Sequence, residues 1–133
     1  MSLIKRLAIL VAAATALFAV AIPALVNAEG APRVGTFVGD SNHVTTGEAR
    51  LVQRDGRWFV ELGQDFSLDG APDPKVSVGG LDAGPGVILA PLERNTGAQT
   101  YALPADFDVS TIERIWIWCE RFSVPLGHAD LSA

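Results

Sequence analysis

The chain holds one cysteine, Cys119, and one methionine, Met1. A single thiol rules out an intramolecular disulfide, so no covalent bridge staples the fold. No Cys-x-x-Cys-His motif is present, which excludes covalent c-type haem attachment. Met1 lies in a segment that export would remove, so histidine–methionine haem ligation is excluded from the remaining chain. Histidine is almost as scarce, with only His43 and His128. Two histidines and one cysteine match a blue-copper site in number but not in spacing. His43 lies far upstream, His128 stands nine residues after Cys119, and no axial methionine follows. A structural zinc would need an unmarked carboxylate as fourth ligand, so no metal is assigned. Asp65, Asp69 and Asp73 recur at four-residue spacing, but a calcium loop needs oxygen ligands at alternate positions and a closing glutamate. They read instead as solvated turn acids.

Basic residues are outnumbered, ten against fifteen acids. Lys5 and Arg6 are the only charges before Glu29, so the chain beyond residue 28 has a net charge of −7 where the whole chain has −5. With no basic patch to release counterions, neither nucleic acid nor an anionic membrane surface is an expected partner. Ser123 and Cys119 lack a hydrolase motif, and no phosphate-cradling glycine loop joins a strand to a helix.

The one long hydrophobic run is at the start. Lys5 and Arg6 precede an apolar stretch from Leu7 to Ile22, and Val26-Asn27-Ala28 then presents small residues suited to a cleavage site. Basic, apolar, then small is the order of a secretory signal. The expected organisation is a signal peptide over 1–28, a linker over 29–33 and a domain over 34–131. That makes the mature chain exported: periplasmic, cell-surface or extracellular, or membrane-anchored if the segment is retained. The mature domain itself has no segment expected to insert into a membrane. Removing 28 of 133 residues leaves 105, enough for one domain with a core of its own.

No amphipathic helix stands out beyond the signal. Short apolar runs are punctuated by Gly, Pro, Asp and Asn, the pattern of an all-β fold. The best-defined unit is a hairpin from Gly47 to Gly63 turning at Asp55-Gly56, a pair suited to the positive φ angles of a two-residue connection. A tight turn there sets Gln53 opposite Trp58, Val52 opposite Phe59, Leu51 opposite Val60, Arg50 opposite Glu61 and Ala49 opposite Leu62. Ala49, Leu51, Val60 and Leu62 then share the core face, and Arg50 faces Glu61 as a charge pair. Further strands are expected at Gly35–Gly39, Phe66–Leu68, Lys75–Val78, Val87–Leu92, Ala98–Leu103, Ile112–Phe122 and near His128–Leu131, with a loop or helical turn over Asp106–Thr111. About eight short strands in a chain of this length point to a single antiparallel β-sandwich or small β-barrel.

Cys119 ends the densest aromatic and β-branched run, Ile115-Trp116-Ile117-Trp118-Cys119. Strand alternation puts Ile115, Ile117, Cys119 and Arg121 on one face, and Trp116, Trp118, Glu120 and Phe122 on the other. Both faces are substantially apolar, so the strand is covered on both sides or exposes an aromatic contact patch. On residue chemistry alone Cys119 is a small hydrophobe packed beside Ile117. The functional reading rests on Arg121, which on that face would stabilise a thiolate at a solvated strand end.

Several segments together resemble the DM-thirteen domain family. They are Gly35-Thr36-Phe37, then His43 with Thr46-Gly47-Glu48-Ala49, Asp65-Phe66, Ala71-Pro72-Asp73-Pro74, the run Asn95 to Pro104, and most specifically Ile117 to Ala129. The resemblance spans about Val34 to Leu131. It implies a β-rich exported module taking part in electron transfer, with Cys119 as a redox thiol or as a ligand to a prosthetic group, which leaves cysteine-ligated haem, not c-type, among the cofactors allowed. His43 matches the family's early histidine, either as a cofactor-binding partner to Cys119 or as a cap on the first turn. Any electron partner is then a separate redox protein or a cell-surface protein. The alternative is a non-catalytic extracellular binding or adhesion module, in which Trp116 and Trp118 form the contact face and Cys119 is structural.

Overall fold

The computed structural model describes residues 14–16, 19, 30–82 and 84–132. The export signal read over residues 1–28 falls almost wholly outside them. Among the described residues no helix is long and apolar enough to cross a membrane.

Ten strands follow in order: β1 (Arg33–Gly39), β2 (Thr45–Thr46), β3 (Glu48–Arg54), β4 (Arg57–Leu62), β5 (Ser67–Leu68), β6 (Pro74–Gly79), β7 (Val87–Pro91), β8 (Gln99–Ala102), β9 (Arg114–Cys119) and β10 (Val124–Asp130). Eight of them form one antiparallel sheet in the order β7-β6-β9-β10-β1-β3-β4-β8, and β2 pairs with β5 beside it. The end strands β7 and β8 approach each other, so the sheet is a nearly closed barrel. The expected all-β class stands. The only helical piece among the described residues is a 3₁₀ turn at Val109–Thr111, begun by the Asp108 side chain accepting from Ser110 N–H, inside the segment expected to be loop or helical turn.

The β3–β4 hairpin has the register expected from its Asp55-Gly56 turn, with all five facing pairs in place. Asp55 at φ +50° and Gly56 at +75° supply the left-handed geometry. Ala49, Leu51, Val60 and Leu62 face the core and are essentially sealed from solvent. Arg50 does stand opposite Glu61, but its Nε donates along its own strand to Glu48 Oε1 at 2.6 Å, while Glu61 pairs with Arg54.

Two boundaries differ from expectation for one reason. The last long run does not continue to Phe122: β9 stops at Cys119, and Glu120 to Ser123 form a turn, with Ser123 at φ +50°. The chain reverses there so that β10 can start at Val124 and pair with both β9 and β1. β10 is therefore interior rather than an edge, and Pro125 is absorbed by a bulge between Pro125 and Gly127.

The core is drawn from the inward residues of every large strand, including Phe37, Leu51, Val76, Val78, Ile115, Ile117 and Leu126, closed off by Phe66, Leu103 and Ile112 from connecting segments. Phe37 and Phe66 meet edge to face with ring centroids 5.3 Å apart. A fully buried aliphatic side chain of this kind contributes about 1.5–3 kcal/mol. Close backbone approach is critical at Gly127, where a Cβ would lie 2.6 Å from Thr45 Cβ and 2.7 Å from its Oγ1. Thr45 has no room to retreat, because it is buried and its hydroxyl donates to Leu126 O at 2.7 Å. Gly127→Ala is expected to cost about 1–3 kcal/mol by overpacking, measured by urea unfolding; a shift of less than about 0.5 kcal/mol, the scatter of a surface substitution, would contradict this packing.

Candidate functional site

β9 is a strand because it alternates isoleucine with tryptophan, residues that favour a pleated surface. Its neighbours are β6 and β10, which supply backbone partners along its whole length. Ile115, Ile117 and Cys119 face the core. The outward face is covered too, with Trp116 only 5% and Trp118 only 9% exposed. The indoles meet at right angles with centroids 6.3 Å apart, and the His128 ring packs 5.5 Å from Trp116. Gly84 lies against both indoles so closely that a Cβ there would come within 3.2 Å of each. The Arg114 guanidinium sits 4.8 Å from the Trp116 ring centroid. Arg114 also donates to Leu81 O and pairs with Asp130, whose carboxyl that pairing holds below the ordinary carboxylate range. The aromatic contact face required by the binding-module alternative is therefore not at the surface.

Two polar atoms in this outer layer have no hydrogen-bond partner among the described residues: Ser77 Oγ and Trp116 Nε1. They belong to directly facing residues of β6 and β9, and Ser77 is completely buried.

Cys119 lies at the end of β9, facing Pro74 on one side and Val124 on the other. It is 1% exposed. Its Sγ–H donates to the carbonyl of Pro72 at 3.0 Å, a contact that only the protonated sulfur can make. Next to it, Glu120 N–H donates to Asp73 O at 3.3 Å. The far end of the segment Asp69 to Asp73 thus lies against the thiol and the residue after it, with Asp69, Pro72 and Asp73 exposed. Arg121 does not share the Cys119 face. Because the strand ends at Cys119, Arg121 sits exposed in the reversing turn, and the alternation that would have set it beside the sulfur stops two residues short.

His43 is in the loop after β1 and bonds through Nδ1 to Asp69 Oδ1 at 2.8 Å. The other Asp69 oxygen accepts from Val44 N–H at 3.0 Å, and Asp69 N–H donates to Val44 O at 3.0 Å. His43 thus meets the segment that covers Cys119, at a point three residues from Pro72. His128 makes the matching contact with Asp40, Nδ1 to Oδ2 at 2.7 Å. The two histidines are each oriented by a carboxylate, and among the described residues no group of three or more His, Cys, Asp or Glu could hold a metal ion. Sequence reasoning missed Asp69 and Asp40, because an aspartate beside glycine looks the same whether its carboxylate is solvated or paired. It missed Pro72 because a backbone carbonyl leaves no mark in composition. The neighbouring turn acids behave as expected of turn chemistry: Asp65 Oδ1 accepts from Glu48 N–H, and Asp73 pairs with Lys75.

A small, nearly closed antiparallel barrel with one buried thiol at the end of an interior strand defines the class: a compact all-β module whose cysteine is shielded. A family model described as electron transfer DM13 matches residues 36–131, and the chain belongs to that family. Comparison with curated proteins gave no match, and comparison with solved structures gave none.

Two outcomes follow from this geometry. Ser77→Ala removes a buried hydroxyl that has no partner and is expected to raise unfolding free energy by about 1 kcal/mol; a loss of similar size in urea unfolding would show that the hydroxyl is satisfied. The Asp69 carboxyl is held below its usual range, first by Val44 N–H and then by the His43 hydrogen bond. A depressed folded value means that its contribution is complete above the unfolded value of about 4 and is lost as pH falls through the folded value. The stability difference between wild type and Asp69→Asn should therefore be constant near neutrality and vanish in acid; a difference that grew on acidification would contradict the pairing.

Proposed function

We propose that the chain is an exported redox module whose Cys119 thiol, on giving up its proton, attacks a disulfide of a separate protein: a mixed disulfide forms, the partner's S–S bond breaks, and the leaving thiolate takes up the proton. The observation that carries this reading is the placement of Cys119: the sole thiol of a chain in an electron-transfer family ends a strand buried on both faces, with its Sγ–H bonded to the carbonyl of the exposed residue Pro72. Burial protects a lone thiol from adventitious cross-linking in an oxidising compartment.

A thiol fits these surroundings better than a sulfur ligated to haem or a metal. The sulfur is enclosed by the core and directed at Pro72 O, and both histidines have Nδ1 engaged by aspartate. The partner is a redox protein in the same compartment or at the cell surface. Export is supported by Lys5 and Arg6 ahead of the apolar run and by Val26-Asn27-Ala28, which fits cleavage after Ala28 and gives a linker over 29–33 and a domain over 34–131. If the segment is retained, the same domain is held at the membrane.

Titration in glutathione–glutathione disulfide buffers tests the reading. Wild type is expected to show uptake of one glutathione as a mixed disulfide, with one glutathione thiol released and the bond reversed by excess thiol, and this uptake falls to background in Cys119→Ser, with unfolding midpoints close enough to keep both proteins folded throughout. Equal uptake in the two proteins would overturn the assignment.

A further inference from the structure

The five residues Asp69-Gly70-Ala71-Pro72-Asp73 are held by polar contacts at both ends and by Ala71 against the core between them. At the far end the contacts are Cys119 Sγ–H to Pro72 O at 3.0 Å and Glu120 N–H to Asp73 O at 3.3 Å, with Asp73 Oδ1 3.0 Å from Lys75 Nζ. At the near end Asp69 alone makes three contacts, to the His43 ring and to both backbone groups of Val44. Gly70 between them, at φ +107°, has only the Asn95 side chain within 4 Å of a would-be Cβ. Ala71 packs against the core, while Pro72 and Asp73 are exposed. Three peptide steps separate Asp69 from Pro72, at most about 11 Å of extended chain, so Asp69 anchors the near side of the segment whose carbonyl accepts the thiol proton, and Asp73 anchors the far side. Both latching side chains reach solvent, His43 at 27% and Asp69 at 39% exposure. The near side of the cover can therefore lift while its far end stays fixed at Pro74, where β6 begins and faces Cys119 in the pairing with β9.

We propose that His43 and Asp69 latch the turn that covers Cys119, so that His43 governs the thiol at one remove, as a positioning residue, and not by bonding to sulfur. This places a role on the early histidine without requiring it to reach the cysteine. It rests on the reading of Cys119 as the redox centre only for its functional meaning; the latch itself is a statement about access to the sulfur.

The test is the rate at which iodoacetamide alkylates Cys119 in the folded full-length chain, followed by mass spectrometry across a series of low urea concentrations. Local opening is nearly insensitive to urea, whereas global unfolding is steeply sensitive. Asp69→Ala is expected to speed alkylation at least about tenfold, the effect of losing a charge-assisted hydrogen bond from a local equilibrium, with little dependence on urea. His43→Gln should speed it less, because Val44 still holds Asp69, and Asp69→Asn should fall between wild type and Asp69→Ala. Val60→Ala, a core truncation in the distant hairpin, serves as the control for general loss of stability and should act only through the urea-sensitive route. An Asp69→Ala rate equal to wild type, or one with the steep urea dependence of Val60→Ala, would overturn the latch. The two ideas fail separately: loss of the latch is read from alkylation, loss of the redox reading from the titration of Cys119→Ser.

Discussion

Burial of β9 on both faces is the constraint on which the rest of the molecule depends. A strand reading Ile-Trp-Ile-Trp-Cys has no polar face to give to solvent, so layers must be found for both sides. The inner layer is the barrel core. The outer layer is assembled from Gly84, His128 and the Arg114 guanidinium around the two indoles. Interior position in the sheet follows, since only a strand paired on both edges by β6 and β10 can be covered so fully. The same constraint brings β10 in from the C-terminal end to lie between β9 and β1, and so joins the two halves of the sheet across the greatest separation in sequence.

Much of this was legible because turn chemistry and alternation speak directly about backbone. Asp55-Gly56 set the hairpin register residue by residue, since a tight two-residue turn permits only one pairing. The dense run into Cys119 marked a strand either covered on both sides or exposing an aromatic patch, and the fold covers both faces. The boundary at Cys119 was not legible, because Phe122 and Val124 carry as much β propensity as the residues before them. A turn needs only Ser123 in a left-handed conformation, which its sequence neighbours do not announce. The same boundary decides Arg121, which alternation would place beside the sulfur only if the strand continued past Cys119.

The hydrogen-bond partner of the Cys119 thiol, the Pro72 carbonyl, stands 47 positions away in the chain. Pairings of this kind depend on strand order, and strand order is not written in local pattern. His43 illustrates the difference. Its residue type and its likeness to a family histidine drew attention to it, yet its partner is Asp69, an acid that composition assigns to solvent. The sequence names the chemically capable side chains; the fold decides which of them meet. Here it keeps sulfur and imidazole apart and joins both to one short turn.

A single thiol within a polypeptide that holds no chromophoric group of its own makes a direct spectroscopic commitment. The decisive measurement is the visible absorption spectrum, with elemental analysis, of protein purified from its native compartment. A redox thiol predicts no band beyond the aromatic region, no stoichiometric metal, and one titratable thiol per chain on unfolding. A Soret, flavin or copper charge-transfer band at stoichiometric strength, with the thiol silent after unfolding, would contradict the assignment of Cys119 as an unliganded redox centre.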